Sequence, residues 1–375
     1  MRIGVDARLL AHQLTGIGRY TVEMCRELSS CDDNFYLYAP SAPVVDVVEK
    51  ENVQVKWGHF NGRLLSMAWS QSVLPYWAKA DHIDVFWGPT HRLPRYLPAS
   101  IPRVVTIHDM VWKFAGETMR PLSLRVERRL MPEAVRLADR IIADSESTAD
   151  DIGEEYPEVL DRIRVVHLGS TPMPPSLGAA SLRALGVELP YFLFVGTLEP
   201  RKNLNGLLSA FALLPPMVRK ACKLVIAGGK GWGGVELSSM VQGYRLEDDV
   251  VVVGYVTDEQ LSTLYTHARF LAMPSLYEGF GLPLVEAMSC GTPVLTSNVS
   301  SLPEVAGEAG LLVDPLNQSS INEGLRLLLT DDVVLSGLAH HARSQAAQFS
   351  WKKAAAETRG IFQEAFACRR LPHKG

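Results

Sequence analysis

The chain has 375 residues, a formal net charge of -4, 47% hydrophobic residues and 21% charged residues. That length exceeds what one ordinary hydrophobic core organises, so two domains are expected, and the composition excludes a disordered chain. The acidic balance excludes a general nucleic-acid binder, which needs a dense basic face, and no apolar run reaches the ~18 residues that span a bilayer.

The N-terminus enters a strand pattern at once, RIGVD at 2–6, without the apolar region or cleavage site of a signal peptide. TGIGRY follows at 15–20. Its Gly16 and Gly18 suggest a dinucleotide fingerprint, but Thr21 stands where a third glycine is required, which leaves a plain strand-to-helix turn or a loop that approaches a ligand. FYLYA at 35–39, VQVKW at 53–57, IDVFW at 83–87, RVVTIH at 103–108 and RIIAD at 140–144 alternate with helical patterns. Such alternation predicts right-handed βαβ units on a parallel sheet. The aromatic residues Trp57, Phe60, Trp69, Tyr76 and Trp77 read as core, with lipid or glycan contact as the alternative.

His108 and Asp109 close one strand, and Asp144 and Ser145 close another, so all four stand at the carboxyl edge where ligands of open α/β sheets gather. An Asp-Ser pair there serves equally well as a helix cap. Between those strands Arg120, Arg125, Arg128, Arg129, Arg136 and Arg140 outnumber Glu127, Glu133 and Asp139. This basic run is either a solvated helix face or a surface for an anionic lipid or a diphosphate-linked acceptor. Five cysteines without paired spacing fit a reducing, cytoplasmic compartment.

After RIRVVHLG at 162–169, the proline-rich STPMPPSLGAA reads as a linker, and a second α/β series begins: YFLFVG at 191–196, KLVIAGG at 223–229, DVVVVG at 249–254, RFLAMP at 269–274 and PVLTS at 293–297. GTLEPRKNLNGLLSAF at 196–211 places Arg201 and Lys202 beside a helix start, where acids are normally preferred. A basic pair there suits a diphosphate held without a metal. VIAGGKGWGG at 225–234 is no Walker A loop, since Gly231 follows Lys230 where Ser or Thr is required. No D-x-D stands in a donor-site turn and no histidine cluster supplies ligands, so no metal is expected. The residues from about 318 to 368 read as helices.

The most informative stretch is PSLYEGFGLPLVEAMSCGTPVLTSN at 274–298, a strand, a glycine-flanked turn and a helix with Pro283 in its first turn. The amides of Gly279, Phe280 and Gly281 then lie at a helix N-terminus, which favours an anion such as a diphosphate. Glu278 and Glu286, eight positions apart, can face one ligand and accept hydrogen bonds from sugar or ribose hydroxyls. The alternative is a capping Glu278 and a solvated Glu286.

This stretch, with the Arg-Lys pair before it, resembles the signature of retaining glycosyltransferases of family 4, and the resemblance extends over most of the chain. It implies the α/β GT-B architecture: two Rossmann-like domains whose parallel sheets face a deep cleft. Residues 1–170 would then bind acceptor and 171–351 donor, with a C-terminal helix at about 352–375 crossing back to complete the first domain. Carried over residue by residue, the resemblance puts Glu278 on the donor sugar, the backbone of Gly279, Phe280, Gly281 and Leu282 on sugar and phosphate, and Glu286 on the ribose. Gly196 opens the loop that brings Arg201 and Lys202 to the pyrophosphate, and Gly16 approaches it from the N-terminal half. Tyr255 and Val256 line the nucleobase pocket, His108 contacts the sugar or reacting centre, and Asp109, Asp144 and Ser145 face the acceptor. The implied catalytic set is His108, Arg201, Lys202 and Glu278. Configuration is retained, and the leaving phosphate takes the acceptor proton.

TSNVSSLPEVAGEAGLLVDP at 296–315 is similar to bacterial lipopolysaccharide and O-antigen transferases that use GDP-mannose or a GDP-deoxyhexose such as GDP-rhamnose. This implies a GDP-sugar donor with no further cofactor, an undecaprenyl-diphosphate-linked glycan acceptor, and peripheral work at the inner face of the cytoplasmic membrane. A nucleotide-sugar epimerase or a non-catalytic sensor of the same fold are the rival readings, and the basic pair with the paired glutamates favours transfer.

Overall fold

A computed structural model of the chain describes residues 1–11, 16–44, 50–229, 231 and 237–370. Lys230 and residues 232–234 of the glycine-rich run, and Thr15 of TGIGRY, lie outside them. The chain divides into two compact units: unit 1 is Met1–Met110, Arg125–Gly169 and Ser350–Gly375, and unit 2 is Val111–Leu124 and Ser170–Phe349. Residues 111–124, which the sequence reading places with the N-terminal domain, thus group with unit 2.

Unit 1 holds seven parallel strands: β1 (Arg2–Asp6), β2 (Asn34–Ala39), β3 (Val53–Trp57), β4 (Val85–Gly88), β5 (Arg103–Ile107), β6 (Arg140–Ala143) and β7 (Ile163–Val165), in the order β3-β2-β1-β4-β5-β6-β7. The central strands are buried on both faces, which is why their sequences are continuous apolar runs. β3, at the edge, has only exposed and half-buried residues. The helix Trp351–Arg370 completes this unit. Trp351 sits 6.1 Å from Tyr20 and Phe362 lies 5.7 Å from Trp87, while Arg140 and Arg359 pair with Glu364 and Asp33. Of the five aromatic residues assigned to core, Trp69 is fully buried, whereas Trp57 and Tyr76 are exposed.

Unit 2 holds six parallel strands: β8 (Tyr191–Val195), β9 (Lys223–Ala227), β10 (Val250–Gly254), β11 (Leu271–Met273), β12 (Val294–Ser297) and β13 (Gly310–Val313), in the order β10-β9-β8-β11-β12-β13. Its core is aromatic at the centre: Phe192 stacks on Phe270 at 5.1 Å and meets Phe211 edge-on at the same distance. The sequence reading misses β13, a short edge strand that begins with glycine and pairs only with β12. In both sheets the strand order reverses between non-consecutive neighbours, at β1/β4 and at β8/β11. Loops from these two strands diverge to opposite sides, opening a crevice at their carboxyl ends, the usual place for a ligand. Among the described residues no helix is long and apolar enough to cross a membrane.

Candidate functional site

The β8/β11 switch point of unit 2 gathers the charged residues singled out in the sequence. Leaving β8, the chain turns at Gly196, whose carbonyl packs so tightly on Gly228 that a Cβ at residue 228 would lie 2.0 Å from it. Only glycine at 228 allows that approach. The chain then enters a short turn, Pro200–Lys202, which presents Arg201 and the buried Lys202. Asn203, in the left-handed region at φ 55°, fixes the turn by donating from Nδ2 to the carbonyls of Pro274 and Pro315 at 3.0 and 2.8 Å. The Leu276 amide donates to the Arg201 carbonyl at 2.8 Å, tying this loop to the one that leaves β11.

Glu278 sits on that second loop, 5% exposed, between the two cations. Lys202 Nζ donates to its Oε1 at 2.7 Å and Arg201 Nη1 donates to its Oε2. The same Arg201 nitrogen reaches the Tyr277 carbonyl at 2.9 Å, and Glu199 stands 3.7 Å from the guanidinium. Burial alone would raise the Glu278 carboxyl, but Arg201 and Lys202 outweigh it and hold it down at about 2. Glu278 is therefore a fixed carboxylate at neutral pH. The loop itself is cradled by two serines: Ser300 Oγ accepts from the Glu278 amide at 3.0 Å, and Ser301 Oγ donates to the carbonyls of Glu278 and Phe280, each at 3.0 Å.

The helix Leu282–Ser289 starts where the sequence places it, with Gly281 as N-cap at φ +104°, a conformation that favours glycine, and Pro283 in the first turn. Gly279, Phe280 and Gly281 consequently lead into a helix N-terminus, and Leu282 is its first residue. Glu286 is half-buried, and its Oε2 accepts from the hydroxyl of fully buried Tyr265 at 2.9 Å. Tyr255 and Val256 follow β10, with Tyr255 85% exposed, directly before a capping box at Thr257. On the other side of the motif, Phe114 stacks on Tyr277 at 6.2 Å with the rings 10° from parallel.

In unit 1 the structure brings His108 and Asp144 together. His108 Nδ1 lies 2.5 Å from Asp144 Oδ2 and its Nε2 lies 2.8 Å from the Pro89 carbonyl, both within a buried pocket edged by Tyr20 at 4.7 Å. Burial by itself would lower the His108 pKa, but Asp144 and the Pro89 carbonyl reverse the direction and raise it. With an oxygen acceptor on each ring nitrogen, the imidazolium is the favoured form. A contact from a ring nitrogen to a sugar requires one of these bonds to open. Ser145 spends its hydroxyl as the N-cap of the helix Glu146–Glu155, accepting from the Thr148 amide at 3.0 Å. Asp109 is half-buried after β5. Gly16 opens the helix Gly16–Leu28, and among the described residues a Cβ there would meet nothing within 4 Å.

Three features were not read from the sequence. His91, at φ 59°, accepts the His108 amide on Nε2 at 2.8 Å and lies 3.7 Å from Glu127. Tyr265 orients Glu286, and Ser300 and Ser301 hold the Glu278 loop. Only SNVSS after β12 could have signalled the serines, as hydroxyls at a third strand end. Among the described residues no group of three or more His, Cys, Asp and Glu is placed to hold a metal.

The His108–Asp144 pair has a pH signature. Because the folded pKa of His108 is raised above its ordinary 6.5, its stabilisation is complete below that value and is lost as pH rises through the folded pKa. Thermal melts from pH 6 upward are expected to show a falling midpoint in the wild type and a flatter one in Asp144→Asn. A pH-independent wild type would mean that the ring is neutral.

Comparison with known proteins gives two family matches: "Glycosyltransferase Family 4" over residues 14–170 and "Glycosyl transferases group 1" over 183–349. The Escherichia coli "O-antigen chain mannosyltransferase B" is 33% identical, over 96% of this chain and 98% of that one. Among solved structures, sucrose-phosphate synthase from Thermosynechococcus elongatus superposes with a TM-score of 0.77 at 19% identity, covering 98% of this chain and 100% of that one. Anabaena HepE in complex with UDP and glucose gives 0.74 at 19% identity, covering 97% and 100%. These two show a shared fold.

Proposed function

Since the chain belongs to the group 1 and family 4 glycosyltransferases, we propose that it transfers a hexose, mannose or a 6-deoxy relative such as rhamnose, from a GDP-sugar to a hydroxyl of a growing lipid-linked glycan of the O-antigen type. The single observation that carries this reading is the cluster of half-buried Arg201 with buried Lys202 and Glu278 at the β8/β11 switch point, beside the amides that open the helix Leu282–Ser289.

Two fixed cations beside a helix N-terminus suit a diphosphate and stabilise the charge that builds on it as the glycosidic bond breaks. Glu278, with its carboxylate between the cations, accepts from donor hydroxyls in this reading, and Glu286, which accepts from the Tyr265 hydroxyl, takes the ribose; the two hydrogen-bonded carboxylates support it. Retention follows if the acceptor hydroxyl attacks from the face the diphosphate leaves, its proton passing to the departing phosphate oxygen. Orientation and electrostatics then carry the catalysis without a metal or other cofactor. The relative's mannosyltransferase name supports mannose. Work at the inner face of the cytoplasmic membrane, on an undecaprenyl-diphosphate-linked acceptor, belongs to the same proposal.

Thermal shift in EDTA tests the donor. GDP and GDP-mannose are expected to raise the melting midpoint more than the corresponding UDP and ADP compounds, since a ligand bound only by the folded state stabilises it. No shift with any of them sinks the donor site. Gly16→Ala supplies a finer check. With no described atom within 4 Å of its Cβ and a helical position, it is expected to leave the midpoint unchanged or slightly higher. A higher KM for the donor in that variant places Gly16 at the diphosphate, and unchanged kinetics removes it.

A further inference from the structure

Unit 2 carries its charged cluster at one of two switch points; the other, β1/β4 in unit 1, carries a cavity of ≈ 220 Å³. Arg8, directly after β1, and Arg92, Arg95 and Tyr96, after β4, line it together with Arg129 and Glu133 from the helix Pro121–Leu137. The cavity is thus where Arg129, from the basic run, meets the carboxyl ends of the sheet.

Its chemistry is balanced rather than strongly cationic. Arg8 is paired with buried Asp6, Arg92 donates to Glu127 at 3.1 Å, and Arg95 lies 3.3 Å from Glu133. Only Arg129 lacks an ion-pair partner among the described residues, so one cation is in excess. No α-helix begins among the cavity's described lining residues, so, unlike the cluster in unit 2, it lacks the N-terminal amides that hold a phosphate. Paired guanidinium and carboxylate edges instead offer donors and acceptors side by side, which is what the hydroxyls of a neutral sugar require. The Arg95–Glu133 pair is exposed, so it gives up little when its edges turn to a ligand. Tyr96 is 69% exposed and, with Leu93 and Met67, presents an apolar surface to the C–H face of a ring. The volume is below the ~300–1,000 Å³ of sites for larger ligands and suits a single hexose.

We propose that the β1/β4 cavity is a carbohydrate subsite holding one hexose of the acceptor glycan, with Tyr96 as its platform and Arg95, Arg129 and Glu133 on its hydroxyls. It rests on the transferase reading, but it is tested separately. Binding of methyl α-mannobioside to the full chain is measured by saturation-transfer NMR and titration, in the wild type, Tyr96→Ala and Glu133→Gln, with the GDP thermal shift recorded for each. Tyr96 is exposed, and Glu133 is half-buried with its ion pair to Arg95 at the surface, so the folds are expected to survive. The wild type binds the disaccharide and each variant binds it about tenfold more weakly, the loss of roughly one good contact, with the GDP shift unchanged. Absence of wild-type binding at millimolar disaccharide, equal binding in both variants, or displacement of the disaccharide by inorganic pyrophosphate with tighter binding overturns the subsite, the last by making it an anion site. Loss of the GDP shift in all three proteins would instead strike the donor reading, and the disaccharide result would still decide this one.

Discussion

Lys202→Ala is expected to lower kcat/KM for sugar transfer about 10²–10³-fold, the usual cost of removing one fixed group that stabilises charge developing in the transition state. The lysine is buried, its ammonium is 2.7 Å from Glu278, and it stands on the loop that leaves the first strand of unit 2. Water cannot replace a charge delivered there at no reorganisation cost. The same change leaves Glu278 with Arg201 as its only cation among the described residues, so the fold pays as well. The melting midpoint is measured alongside, and Lys202→Arg separates the two effects: it restores charge to Glu278 and hence stability, but its planar fork does not reproduce an ammonium at one point, so activity recovers only in part. A loss of less than tenfold in Lys202→Ala, in a folded protein, would remove Lys202 from the leaving group.

Glu278→Gln is expected to abolish most transfer and to cost about 3 kcal/mol of stability near neutral pH. The stability figure follows from a carboxyl held at about 2 rather than its ordinary 4.5, at ~1.4 kcal/mol per unit. The sign is fixed by the direction of the shift. A depressed carboxyl stabilises the fold above pH 4.5 and loses that contribution as pH falls from 4.5 towards 2. Wild type therefore weakens through that window, and Glu278→Gln, measured by denaturant midpoint, does so less steeply. The variant also leaves Arg201 and Lys202 facing each other without their shared anion. Inorganic pyrophosphate is expected to raise its melting midpoint more than that of the wild type, because the added anion restores the missing negative charge. No response in either protein would mean that the cations are not open to a phosphate, and full activity in Glu278→Gln would end its assignment to the donor sugar.

Much of the candidate site in unit 2 was legible because its parts are local. The apolar runs at 191–195 and 271–273 make strands buried on both faces, and the glycine and proline around 281–283 set the helix start within a few positions. Glu286 was legible by its spacing from Glu278, although the Tyr265 hydroxyl that fixes it was not. His108 and Asp144 were legible as strand ends. That they form one buried ion pair depended on β5 and β6 lying side by side, whereas the cap at Ser145 is local, made to the Thr148 amide three residues on, and was one of the two readings the sequence offered. β13, Gly310–Val313, escaped notice because it offers only three apolar residues behind a glycine, too short a run to stand out.

The sequence by itself determined the alternation of strands and helices, the division into two α/β halves and the turn chemistry around residues 278–283, since each rests on contacts within a few residues. Only the tertiary structure decided that Lys202 and Glu278, 76 positions apart, neutralise one another, and that Arg8, Arg95 and Arg129 share one cavity. The physical reason is strand order. β8 lies beside β11 and β1 beside β4, and a pairing between non-consecutive strands is set by the packing of whole sheets and the helices that cover them. Local periodicity carries no record of it.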